Sequence, residues 1–256
     1  MNERLDVVKA KKMSIYNSGM WVSLFIGLLY TGIGILMPLD PAERYRGTEF
    51  YEQIAAHPLI PHMWRYIFVI VGFLSIYWVS AAVTVVRTKS YEWEGFYKWV
   101  TILGYGGAAM LCVQWMREIF IMKVMTLYST GSEMYRVALE VAAFPIDPDF
   151  IWMFGGFGLW YLVTSLLAKR NGVFSPKINI LGIAVGADLI LTMVFAMTDT
   201  IIYFKNGQMT VMQITALLGG LMGAVYHVWM FFEMKKGKSV FEKGVSTLWE
   251  QHKSTA

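Results

Sequence analysis

Two ionisable residues lie deep inside long apolar stretches, Asp188 in "GADLILTMVFAMT" and His227 in "GAVYHVWMFF". An aspartate at the centre of a bilayer costs on the order of 3 kcal/mol to insert, so it should face a protein interior and find a partner. Measured along a helix at 1.5 Å per residue, Asp188 is about 17 Å from Lys177 and His227 about 12 Å from Lys235. The two therefore fall within one helical turn of each other in depth. A carboxylate and an imidazole so placed can relay protons or bind a cationic or hydrogen-bonding solute. Thr192, one turn beyond Asp188, and Gln213, on the stripe that leads to His227, complete a candidate solute or proton site. The plainer alternative makes Asp188 one half of a structural pair and His227 a donor to a nearby carbonyl.

A second group begins in "CVQWMREIFIMK" (112–123), where Gln114, Arg117 and Glu118 interrupt an apolar run. Arg117 is about 29 Å of helix from Lys98, while Arg65 is about 33 Å from Arg87 and Asp199 the same from Lys177. Arg65, Arg117, Glu118 and Asp199 thus share one layer near a membrane edge, two charges of each sign, with Gln114 one turn deeper. They are either interfacial anchors that pair with one another or the wall of an outer vestibule. Three stripes link both groups by helical spacing: Ala184, Asp188, Thr192 and Phe195; Gln213, Ala216, Gly220, Gly223 and His227; Gly104, Gly107, Leu111, Gln114 and Glu118. Each mixes small and polar residues, which lipid does not favour, so these helices are expected to face a common interior. The spacings Gly219xxxGly223 and Gly220xxxAla224 also suit plain close packing of helices, and Gly219, Gly220 and Gly223 are expected to serve it.

Other chemistries have less behind them. His57 and His62, with Glu118 or Asp199, offer nitrogen and oxygen ligands for an external metal, but their spacing follows no ligand rule; no other cofactor is expected. A bis-histidine haem needs facing histidines at one depth, and His62 and His227 lie at opposite ends. No GxSxG, HExxH or phosphate-loop motif occurs. Cys112 is alone, so it forms no intrachain disulfide and reads as packing.

The elements that hold these residues are membrane helices. Of 256 residues 56% are hydrophobic and 16% charged, against about a quarter charged in soluble domains. No basic surface interleaved with aromatics suggests nucleic acid. Spans are expected at 18–38, 63–86, 98–122, 150–168, 178–203 and 208–232, each near the 20 residues that cross a bilayer core of about 30 Å. The fold class is therefore all-α, a single polytopic domain over 18–233 with a short leading segment, 1–17, and a tail, 234–256. The leading segment, the 87–98 and 169–177 turns and the tail hold 15 of the 22 basic residues. By the positive-inside rule both termini are cytoplasmic, in a cell membrane. The longer connections, 39–62 and 130–149, then lie outside. Within the second, Thr130 and Glu133 form a capping-box pattern before a short amphipathic helix, and 239–253 reads as an interfacial helix.

The stretch "FGGFGLWYLVTSLLAKRNGVFSPKINILGIAVGADLILT" (154–192) resembles an uncharacterised group of six-helix bacterial membrane proteins. The resemblance lies in a Gly-rich helix, a basic turn with Asn-Gly and Ser-Pro, and a second Gly-spaced helix. It implies the six-span fold and brings no activity with it. Three functions remain open: a protein that handles a small solute or protons, a non-catalytic subunit of a larger membrane complex, and a membrane enzyme with an external metal. The partners open to it besides lipid are other membrane subunits or further copies of this chain.

Overall fold

The computed structural model describes residues 2–45, 47–87, 94–128, 132–142, 146–198, 201–204 and 207–254. Six helical segments are long and apolar enough to cross a membrane: Ala10–Leu39, Leu59–Val86, Glu94–Leu127, Pro148–Asn171, Pro176–Thr198 and Val211–Ser239. The helices are α1 (Asn2–Leu36), α2 (Gly47–Ala56), α3 (Leu59–Val86), α4 (Glu94–Leu127), α5 (Glu133–Ala142), α6 (Phe157–Asn171), α7 (Pro176–Thr198) and α8 (Val211–Ser254). The architecture is that of an all-α multi-pass membrane protein.

The spanning helices close a ring. α1 packs on α3, α3 on α4, α4 on α6, α6 on α7, α7 on α8, and α8 returns to α1. Neighbours run antiparallel, as Tyr16 Oη donating to Met234 O at 2.7 Å and Ser80 bonded to Tyr105 across 2.7 Å both show. In lipid no hydrophobic force drives helices together, so close backbone approach at small residues has to do it. A β-carbon at Gly72 of α3 would lie 2.9 Å from Cys112 N and 3.1 Å from Ala108 O of α4; one at Gly27 of α1 would lie 2.9 Å from Val228 N of α8. Cys112 is buried in that seam, with its thiol on Val69 O at 3.5 Å.

Several boundaries differ from the sequence expectation. The fifth span ends at Thr198 rather than 203, and a short antiparallel hairpin follows, β1 (Ile201–Phe204) with β2 (Gly207–Thr210). Two β-branched residues and two aromatics in a row before a glycine favour strand over helix. The sixth helix starts at Val211 and continues to Ser254, so 239–253 is the end of α8 and not a separate element. No proline interrupts it, and Gly237 and Gly244 cost less than the helix-forming Glu, Lys and Met around them return. The 1–17 segment is likewise helical from Asn2 and continuous with the first span. The 39–62 connection, read as a loop, contains α2. In the other connection the amphipathic helix is present, with Tyr135 and Ala138 packed on Ile121 and Met125 of α4. Its first turn is capped by Ser132 Oγ, which accepts from Tyr135 N at 3.2 Å; Thr130 lies outside the described residues.

A bulky side chain at a backbone seam should separate the helices. Gly72→Leu is expected to cost about 1–3 kcal/mol by overpacking, read as a lower thermal unfolding temperature in detergent than the wild type.

Candidate functional site

At the end of the ring that carries the longer connections, the six helices enclose a cavity of about 370 Å³. Its walls are mainly apolar and include the aromatic rings of Tyr30 of α1, Trp64 and Phe68 of α3, Trp115 of α4, and Phe154, Phe157 and Tyr161 on the α6 side. Phe68 and Trp115 stack, with ring centres 4.7 Å apart. Polar groups gather at the mouth: Glu43, Arg65, Gln114 and Glu118. The side chains of Glu43 and Glu118 are 26% and 28% exposed, so this end is reachable from outside the protein.

The mouth is built on a buried ion pair. Asp40, 1% exposed, follows the 3-10 turn Met37–Leu39 after α1 and receives Ala42 N at 2.9 Å, Trp64 Nε1 at 2.8 Å and Arg65 Nη1 at 3.1 Å. Arg65 also donates from Nη2 to Glu43 at 3.0 Å and from Nη1 to Pro61 O at 2.9 Å, and its guanidinium lies 3.9 Å from the centre of the Trp64 ring. Arg65 is thus tied down by the connection that follows α1. Arg117 plays a different part: its Nη2 donates to Val141 O and, at 3.1 Å, to Ala142 O. A cation on the last carbonyls of α5 satisfies groups the helix leaves open and complements its dipole. Glu118, next to it, turns into the cavity with Gln114 Nε2 at 3.3 Å and Arg117 Nη1 at 3.9 Å. The adjacent charges therefore divide the work: the arginine caps a helix, and the glutamate faces the site.

One wall is irregular. Before α6 the chain makes a π-helical turn, Ile151–Gly156, preceded by Asp149 and Phe150 at φ 53° and 56°. A bulky residue at positive φ is a strained conformation that the surroundings must impose, and Phe150 lines the cavity. Asp147, 3% exposed, holds the turn by accepting Trp152 N at 3.0 Å and Met153 N at 2.8 Å. Such π-turns recur at functional sites.

Of the expected site residues, the structure gathers Arg65, Gln114, Glu118 and Gln213 around one cavity. Asp199 lies outside the described residues. The expected Asp188–His227 pair does not form. His227 is fully buried, and both its ring nitrogens are taken, Nδ1 by Ser23 at 3.1 Å and Nε2 by Tyr161 at 2.6 Å. Asp188 lies beside Gly219, two turns of α8 nearer the mouth, and its Oδ2 is buried without a hydrogen-bond partner. Depths counted from the flanking lysines put the two within one turn of each other, but in the fold they lie about two turns apart and face different neighbours. Thr192 is buried and donates back to Asp188 O at 2.9 Å, a bond within its own helix.

The glycines need correction as well. A β-carbon at Gly220 or Gly223 would meet nothing within 4 Å, and both residues line the cavity. Their missing side chains make the space instead of a helix seam; only Gly219 meets a neighbour, Asp188. His62 bonds Pro58 O at 2.7 Å, and among the described residues no three His, Cys, Asp or Glu form a metal cluster. Asp40, Asp147, Ser23 and Tyr161 were not singled out from sequence. A carboxylate just before a proline-led turn, as in Asp40-Pro41 and Asp147-Pro148, was the available signal for two of them.

Comparison with protein-family descriptions, with curated proteins and with solved structures gives no match. The fold and site define the class on their own: a six-span membrane protein with a largely apolar cavity inside its ring and charged residues at the cavity's mouth.

Removing one partner from a buried pair costs about 3–5 kcal/mol. Asp40→Ala should therefore unfold well below the wild type in detergent, while Asp188→Asn, which removes an orphaned carboxylate oxygen, unfolds at the same temperature or higher. Equal melting of Asp40→Ala and wild type would show that the pair does not hold the mouth together.

Proposed function

We propose that this protein handles a small amphipathic solute, cationic or hydrogen-bond-donating at one end and apolar along its body, inside the ring of helices. The observation that carries this reading is the cavity of about 370 Å³, within the range of drug-sized ligand pockets. The charged side chains on its lining are Glu43, Arg65 and Glu118. Arg65 is already engaged by Asp40 and Glu43, so an anion meets acids at the mouth. A cation meets carboxylates with aromatic faces behind them, which attract positive charge.

The positive-inside rule supports an outward mouth. Arg87, Lys98, Lys169, Arg170, Lys177, Lys235, Lys236 and Lys238 all lie towards the other end of their helices. That end is then cytoplasmic, with both termini, and the solute enters from the opposite side of a cell membrane. The accessory-subunit reading drew on the glycines of α8, and those of them that meet no neighbour, Gly220 and Gly223, support the cavity instead.

Titration of nanodisc-embedded protein with octan-1-amine and with octanoate, followed by tryptophan fluorescence, tests the reading. The amine is expected to bind and octanoate to bind at least tenfold more weakly. Glu118→Gln should narrow that difference, and Gly223→Leu, which fills the cavity without meeting a neighbour, should abolish amine binding while the fold persists. Unchanged binding by Gly223→Leu sinks the proposal; equal binding of amine and carboxylate sinks its charge preference.

A further inference from the structure

The floor of the cavity carries a polar group that the chemistry of the mouth leaves unused. Tyr161, 4% exposed, lines the cavity, and its hydroxyl lies 2.6 Å from His227 Nε2. Counting protons fixes the direction of that bond. Ser23 has a single hydroxyl proton and donates it to His227 O at 2.9 Å. The contact between Ser23 Oγ and His227 Nδ1, 3.1 Å, must then run from the ring nitrogen to the serine oxygen. Among the described residues no carboxylate bonds this ring; Tyr30, Trp78 and Tyr226 surround it instead. A buried ring in such company is neutral and has one N–H. Nε2 is therefore an acceptor, and the phenol proton of Tyr161 points at it. With that proton committed, Tyr161 Oη offers the cavity lone pairs only.

We propose that Tyr161 is a specificity-determining residue for the far end of the solute, held as an acceptor by the His227–Ser23 pair, and that the solute carries a second, neutral hydrogen-bond donor opposite its cationic head. This rests on the cavity-binding reading above. Carboxylates line the mouth, while the phenols Tyr30 and Tyr161 lie deeper, both against His227; an uncompensated charge there is costly, whereas a hydroxyl or amide N–H is matched by the Tyr161 acceptor. The class of solute is thus an amino alcohol or amino amide with an apolar middle. Met212 and Gly223 of α8 both line the cavity, and eleven residues of helix span roughly 16 Å, room for such a chain lengthwise.

The test compares 8-aminooctan-1-ol with 8-methoxyoctan-1-amine, which share the ammonium head and differ in having or lacking the distal proton. In nanodiscs the wild type should favour the hydroxyl compound, and that preference, taken relative to Tyr161→Phe, should be about three- to tenfold, the worth of one hydrogen bond. Ser23→Ala frees the histidine to carry its proton on Nε2 and lets the phenol donate, so it should erase the preference while leaving both compounds bound. This second variant keeps the proposal testable should Tyr161→Phe fold poorly, and a structural role alone would not move a ratio between two ligands. An unchanged preference in Tyr161→Phe or in Ser23→Ala overturns the inference. If octan-1-amine itself fails to bind the wild type, it is the cavity reading that falls.

Discussion

Closing a ring of six helices in lipid is the constraint from which the rest follows. Helices in a bilayer gain nothing by hiding from water, so they meet where their backbones can touch. Gly27 against α8 and Gly72 against α4 are such places. A ring of six with close seams leaves space along its axis, and that space has to be either filled or used. Towards the basic end it is filled, by Trp78, Trp160, Tyr226 and Met230, all nearly or wholly buried. Towards the other end Gly220 and Gly223 leave it open. The same residue type therefore closes the ring in one place and hollows it in another, according to whether a neighbour stands opposite.

The open end needs a frame, and the connections supply it. Asp40 joins the end of α1 to the start of α3 through Arg65 and Trp64. Arg117 joins α4 to the end of α5. Asp147 fixes the turn that leads into α6. Each of these ionisable groups lies at least half buried and is bonded to backbone or to an opposite charge, which is the condition under which burial can be borne. Glu118 stands apart: among the described residues it has a long contact to Arg117 and a side-chain amide, which leaves it facing the cavity instead of serving as a strut.

The helices were legible in the sequence because six apolar runs of the right length leave little choice, and two of the turns and both terminal segments carry the charges that mark them. The layer that holds Arg65, Arg117 and Glu118 was legible too, since depth along a helix follows from counting residues. What counting cannot give is azimuth. Nor does it align two helices finely: Asp188 sits beside Gly219, about two turns of α8 from His227, and a pairing inferred from counted depth fails there. The glycine spacings on α8 likewise look the same whether a helix or a void lies opposite. The hairpin after Thr198 and the helix in the 39–62 connection depend on short-range signals that a search for spans passes over.

The π-turn at Ile151–Gly156 has a consequence for register. An α-helix turns about 100° per residue, so one extra residue in a single turn rotates everything beyond it relative to everything before. Phe150, before the turn, Met153 and Phe154, within it, and Phe157 and Tyr161, beyond it, all reach the same cavity. Without the extra residue the side chains before and after the turn would face different directions. Shortening this segment by one residue would therefore re-aim the wall and the floor against each other, so that the length of the chain here is as much a part of the site as the identity of any side chain.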